Sequence, residues 1–387
     1  MLGAVAILSF VISLAVAWPQ ATRRPTTERS SPPDHASYVG DAACQSCHAE
    51  EFASYQATGH HLTSRVADAQ SVAGNFSDGK NVFATSNPSL SFRMTKDVQG
   101  FHETAVDEVS PGKNLEVSEP LDLVVGSGRK AQTYLYWKND LLFELPMTYW
   151  IESGQWVNSP GYEDGTVRFD RAIYPRCLEC HGTSFVSQAP PPNRYDKSSL
   201  VLGISCERCH GPGAAHIALY SSEHPPKKGD ATGIVNPAKL ARGRNIDTCA
   251  ICHAGLGEPL APALSYVPGA ALEKYLKLPK MDAEQAVDVH GNQVQLLESS
   301  RCYLSSQMTC VTCHNVHTVQ RDAAAYSHYC LDCHQAKQCG KFATLGEAIT
   351  KDCVDCHMPL KKSNALFSNA NQQTLQLPVR THRIAVY

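Results

Sequence analysis

The sequence predicts a mainly α-helical chain with many irregular loops, interrupted by one β-rich insertion. Two observations lead there. A five-residue pattern, Cys-x-x-Cys-His, occurs seven times in 387 residues, and each copy asks for one helical turn flanked by short connections. Between the first and second copies lies the longest gap, where apolar residues recur every second position, as in half-buried strands.

Taken in chain order, Leu2 to Trp18 is apolar and uncharged and ends in Ala15, Val16 and Ala17. This reads as a signal peptide over residues 1–17, with a retained N-terminal anchor as the alternative, since about 17 residues just suffice to span a bilayer. The absence of any cysteine before Cys44 excludes a lipid-modified N-terminal cysteine. Residues 18–40 are rich in Pro, Ser and Thr and read as a linker. The first motif occupies 41–81; Phe52, Tyr55 and Leu62 follow it at helical spacing, placing His60 and His61 near a helix end. Residues 82–170 form the β-rich insertion, with Leu90, Phe92 and Met94 alternating in one run and Leu141, Phe143, Leu145 and Met147 in another. Lys138, Asn139 and Asp140 supply a hairpin turn. Tyr134, Tyr136, Trp137, Trp150 and Trp156 read as the insertion's own small core. Residues 171–360 carry six motifs between Gly/Pro-punctuated segments, and 361–387 form a polar, mildly basic tail that wraps the rest.

The motif pairs are Cys44 and Cys47, Cys177 and Cys180, Cys206 and Cys209, Cys249 and Cys252, Cys310 and Cys313, Cys330 and Cys333, and Cys353 and Cys356, 14 of the 16 cysteines. Each pair is followed at once by a histidine: His48, His181, His210, His253, His314, His334 and His357. Zinc could use the pairs at Cys310 and Cys330 but does not explain a histidine after every pair. A disulfide framework belongs to domains too small to build a core. Covalent haem explains both residues: the two thiols lie on one face and bond the two vinyl groups of one porphyrin, while the histidine reaches its iron as proximal ligand. The cofactors expected are therefore seven covalently bound haem c groups. From Cys44 to His357 there is one motif per about 45 residues, too little chain to enclose each macrocycle separately, so the fold should be organised around stacked c-type haems.

Ten further histidines compete for the opposite side of each iron. His35 in the linker, His224 in a loop and His382 near the C-terminus read as solvated. His60, His61, His102, His216, His290, His317 and His328 are the candidate distal ligands. His60 and His61 point about 100° apart on a helix, so at most one serves a given iron. The remaining thiols, Cys302 and Cys339, read as a disulfide or as a thiolate on one iron.

"YVGDAACQSCHAEEFASYQATGHH", "GISCERCHGPGAAH" and "MTCVTCHNVH" resemble segments of bacterial multihaem cytochromes related to tetrahaem cytochrome c-554 and, more distantly, hydroxylamine oxidoreductase. The resemblance covers about half the chain and leaves out the β-rich insertion. It implies closely stacked haems, mostly with two histidines per iron, that carry electrons, and haem attachment outside the cytoplasmic membrane. The expected partners are redox proteins that donate and accept electrons, other haem proteins or a second copy included, with an N-terminal membrane tether as an option. With 34 basic and 37 acidic residues and no basic run, nucleic acid is excluded as a partner. The alternative function is a multihaem oxidoreductase acting on a small nitrogen or sulfur compound at one haem with an open distal position. No motif replaces its histidine with lysine, the departure that marks the catalytic haem of pentahaem nitrite reductases.

Overall fold

The computed structural model describes residues 32–387 apart from 228, 229, 231, 280–286, 371 and 372. The signal or anchor expected at 1–17, and most of the linker, lie outside the described residues. Among the described residues no helix is long and apolar enough to cross a membrane. The chain is not mainly helical: 27% is helix and 28% strand, the strands falling in several sheets. The physical reason is that the motif segments form very short helices, while strands also occur outside the stretch that reads as β-rich.

Strands β1 (Ser64–Val66), β2 (Val82–Ala84), β3 (Leu90–Asp97), β4 (Gly100–Ser110), β5 (Lys113–Pro120), β6 (Leu123–Val125), β7 (Ala131–Lys138), β8 (Leu141–Trp150), β9 (Gln155–Asn158) and β10 (Arg171–Ala172) build two sheets. One is four-stranded in the order β2-β3-β4-β5; the other runs β1-β6-β7-β8-β10, with β9 also paired to β8. The turn between β7 and β8 places Asn139 at φ 57, a left-handed conformation that asparagine tolerates.

Period-two alternation sends Tyr134 and Tyr136 of β7 to one face, where with Phe92, Met94, Met147 and Trp156 they form the core between the sheets. Leu135 goes to the other face, joining Leu142, Leu178, Phe185 and Tyr195, with Trp137 packed against them. The second sheet is thus buried on both sides, and its outer face carries the second motif. Trp150 leaves both cores and packs on Val157 and Leu377.

Beyond β10, the hairpin β11 (Gly182–Ser187) and β12 (Tyr195–Leu202) follows the second motif directly, and β13 (Glu258–Pro259) pairs with β14 (Leu276–Lys277). The C-terminal stretch is a hairpin, β15 (Leu360–Ala370) and β16 (Gln373–Arg380). The helices are α1 (Ala49–Tyr55), α2 (Pro175–His181), α3 (Cys206–His210), α4 (Ala214–Tyr220), α5 (Arg242–His253), α6 (Gln293–Glu298), α7 (Arg301–Leu304), α8 (Ala323–Leu331), α9 (Phe342–Leu345) and α10 (Cys353–His357).

Glu103 on β4 is fully buried. Its Oε1 accepts from the Met147 amide at 3.1 Å, and its Oε2 has no partner. Burial, with a smaller push from Glu144, raises its pKa well above the ordinary value; the Met147 amide only partly opposes this. A carboxyl whose folded pKa is raised contributes its full stability below its unfolded pKa, near pH 4.5, and loses it as pH rises towards the folded value. Glu144, pushed up to about 7 by burial against the pull of Arg171, adds a second decline that ends near pH 7. Glu103→Gln should therefore stabilise the sandwich by about 1–3 kcal/mol at alkaline pH and have little effect below pH 4.5. Amide hydrogen exchange along β4 measures this; a variant that exchanges as fast as wild type at pH 9 would contradict it.

Candidate functional site

Each motif closes a single helical turn. In α2, α3, α5 and α10 the whole pattern is helical. Elsewhere the same turn forms without a full helix: the amides of His48, His314 and His334 donate to the carbonyls of Cys44, Cys310 and Cys330 at 2.9, 3.0 and 2.9 Å. The i to i+4 bond leaves both thiols on one side and the imidazole beside them.

All seven motif histidines line one continuous cavity of about 3450 Å³, several times the volume of an ordinary single-ligand pocket of about 300–1,000 Å³. Thirteen of the fourteen motif cysteines line it too, Cys177 being the exception. Space of this size, edged by paired thiols and imidazoles, fits several covalent porphyrins and no single small ligand.

Across this space the chain sets histidine rings opposite one another. His48 and His216 have centroids 6.4 Å apart, His210 and His317 6.1 Å, His314 and His382 6.2 Å, and His60 and His253 6.0 Å. Two imidazoles binding one metal from opposite sides, each through a nitrogen about 2.0 Å away, have centroids about 6.3 Å apart. His181 and His290 interact electrostatically and both line the cavity.

Hydrogen bonds at Nδ1 orient several of these rings: His210 to the Val235 carbonyl at 2.8 Å, His216 to Thr232 at 2.6 Å, His357 to Ala385 at 2.8 Å. His181 meets the Thr63 hydroxyl, and His314 the Tyr326 hydroxyl, each at 3.2 Å. A ring that donates Nδ1–H to a carbonyl presents an unprotonated Nε2, the atom that ligates a metal. Burial pulls His60 and His382 down to about 4. It lowers His181, His210, His253, His290 and His314 as well. All therefore stand neutral, as ligands must.

The remaining candidates are not brought to a motif histidine by any ring contact or hydrogen bond. His102 sits on β4, 3.8 Å from Asp97 in the four-stranded sheet. His61 lies 3.4 Å from Asp41 and edge-on to Tyr55. His328 is exposed on α8. None of the three lines the cavity. His382, which reads as solvated in the sequence, is instead half-buried in the cavity wall opposite His314. The sequence signal for it is the alternation of Leu375, Leu377 and Val379, an apolar strand that delivers the segment after it to the interior. Cys302 and Cys339 are free thiols beside different motifs, Cys302 near Cys313 and Cys330, Cys339 near Cys353. The disulfide between them is not formed.

Buried charge locks the second, third and fourth motifs together. Glu179 pairs with Arg176 at 2.7 Å and Arg208 at 3.7 Å and accepts from the Leu264 amide at 2.8 Å. Gly203, at φ +69, lets the chain pass against His61, whose carbonyl a Cβ there would strike; the next amide, Ile204, then donates to the His60 carbonyl at 3.0 Å and holds that histidine in place.

Residues 159–211, which contain the second and third motifs, match the family model described as cytochrome c554 and c-prime. A search of curated proteins gives no match. The fold is similar to that of the outer cell wall cytochrome OcwA, with a TM-score of 0.53 at 17% identity over 90% of this chain and 79% of that one. A weaker likeness, TM-score 0.41 at 18% identity over 85% of this chain and 52% of the other, links it to an undecahaem cytochrome from the S-layer of Carboxydothermus ferrireducens. The chain thus has the fold of a multihaem c-type cytochrome.

Proposed function

We propose that the chain binds seven haem c groups and carries electrons between redox proteins outside the cytoplasmic membrane. The observation that carries this reading is the set of four histidine pairs whose rings stand 6.0–6.4 Å apart across one shared cavity. When bound, haem iron cycles between ferric and ferrous states one electron at a time. The residues do the rest. His48, His181, His210, His253 and His314 would each hold a haem iron, and His216, His290, His317, His60 and His382, which stand opposite them, would supply its second imidazole. Carbonyls at Nδ1 aim the His210 and His216 rings, and burial keeps His210 neutral. Two histidines per iron leave no site for a substrate and favour a low potential relative to His/Met ligation. An extracytoplasmic location is supported by the apolar stretch Leu2 to Trp18 and agrees with the outer cell wall placement of OcwA.

A specific observation favours the oxidoreductase reading at the remaining two irons. All 17 histidines lie among the described residues, and 12 of them line the cavity. Seven proximal and five opposing rings account for these 12, which leaves His334 and His357 facing no histidine. An external nitrogen or sulfur ligand could enter there.

Intact mass of the mature protein, made in a host able to attach haem, tests the main reading, with electron paramagnetic resonance of the ferric form. The expected result is seven porphyrin additions, with at least five low-spin irons. A mass without porphyrin, or zinc in its place, would sink the proposal. High-spin signals at two irons that convert on adding cyanide would support the second reading.

A further inference from the structure

The hairpin of β4 and β5 runs out past the core of the sandwich. Burial along β4 ends at Ala105: Val106 and Asp107 are half-buried, and Glu108, Val109 and Ser110 are exposed. Its partner β5 is exposed from Lys113 to Ser118. β5 is also the last strand of the order β2-β3-β4-β5, so on one side its backbone amides and carbonyls meet no strand among the described residues. An edge of this kind is a template for a further strand. The opposite edge, β2, is three residues long and offers much less.

The side chains of β5 determine which strand fits. Successive residues point to alternate faces, so Lys113, Leu115, Val117 and Glu119 share one face, a basic residue, two apolar ones and an acidic one in that order. Leu115 is 61% exposed and Val117 39%, and among the described residues neither Lys113 nor Glu119 closes an ion pair within its own chain. We propose that this edge pairs with β5 of a second copy, antiparallel, about a two-fold axis between the two Glu116 residues. In that register Lys113 of each copy lies opposite Glu119 of the other, and Leu115 opposite Val117, so two ion pairs bracket an apolar quartet. On the other face Asn114 meets Ser118. Glu116 meets its own counterpart, and each of these carboxylates is already held by Arg93 at 3.1 Å. Other arrangements lose the match. A parallel partner sets Lys113 against Lys113, and a shift of two residues sets Lys113 against Val117 or Glu119 against Leu115. Charges that merely guard an edge need no such order.

The pairing joins two four-stranded sheets into one of eight strands. None of the strands in it carries a Cys-x-x-Cys-His motif, so the contact does not depend on haem and leaves the motifs of both copies uncovered. An isologous contact of one strand per copy is small for a specific interface and should come apart on dilution.

Sedimentation equilibrium of the haem-loaded full chain, with the variants Lys113→Glu and Glu119→Lys, tests this. Wild type should approach twice the monomer mass at about 100 μM, where contacts of micromolar affinity are filled. Each variant alone sets like charges opposite one another and should stay a monomer at that concentration. An equimolar mixture of the two should dimerise again, because each copy then presents the charge that the other lacks, and a misfolded variant could not be rescued in this way. A wild type that stays monomeric overturns the proposal, as does a Lys113→Glu variant that dimerises like wild type, or a mixture that does not dimerise.

Discussion

Made without haem, the chain will keep its β-sandwich and lose nearly everything after Ala172. The sandwich owns a continuous core, with Phe92, Met94, Tyr134, Tyr136, Met147 and Trp156 packed between two sheets. Apart from α2, whose Leu178 packs on the outer face of the second sheet, the motif helices have no such support: α3 and α10 are five residues and α5 twelve. Isolated helices below about 12–15 residues are marginal in water. Apart from a cluster around Ile246, Ile251 and Tyr266, the interior they face is the cavity, which porphyrin would fill. Binding and folding are then one event in this region, as in small metal domains. Limited proteolysis of haem-free protein should leave a resistant fragment spanning about Ser64 to Ala172, with circular dichroism dominated by strand. Native-like helix in the haem-free chain would refute this, as would complete digestion of the sandwich.

His382→Ala will turn one low-spin iron high-spin. His382 faces His314 at 6.2 Å with their planes 26° apart, so removing its ring opens the distal side of a single iron. The expected signal is a new high-spin ferric fraction of about one in seven of the total, able to take cyanide. His382→Met should stay low-spin and move one haem to higher potential, since a thioether ligand raises the potential relative to imidazole. His224→Ala, in an exposed loop, serves as the control and should change neither spectrum nor potential. An unchanged spin state in His382→Ala would mean that another group closes that iron.

The sandwich shows how far local pattern reaches. Alternation in β3 and β8 marked both strands, and Asn139 and Asp140 marked the turn, because a strand with one face in a core repeats every two residues whatever surrounds it. The same rule failed at β11, β12 and β15. Register shifts interrupt β11 after Gly182 and β15 after Lys362, and Ser, Asn and Lys fill their outer positions, so the period is weak. Short motif turns spread over many residues then read as a helical chain, when strand and helix are nearly equal.

The local turn of each motif was legible to the residue. Cys-x-x-Cys-His carries its own geometry, since the bond from histidine amide to first-cysteine carbonyl forms within five residues. The opposing histidines are another matter. His48 meets His216, and His60 meets His253, across well over a hundred residues of chain, and a histidine has no sequence mark that distinguishes a buried ligand from a solvated ring. His102, His61 and His328 stood among the candidates with His216 and His317, while His382 read as solvated.

The sequence by itself determined how many Cys-x-x-Cys-His turns the chain has and which thiols and imidazole each one groups, because those contacts close within a single turn. Only the tertiary structure decided which rings stand opposite one another across the cavity and which motif histidines have no ring opposite them. Those relations depend on where distant segments cross, and the crossing is set by the packing of the whole chain around a shared interior.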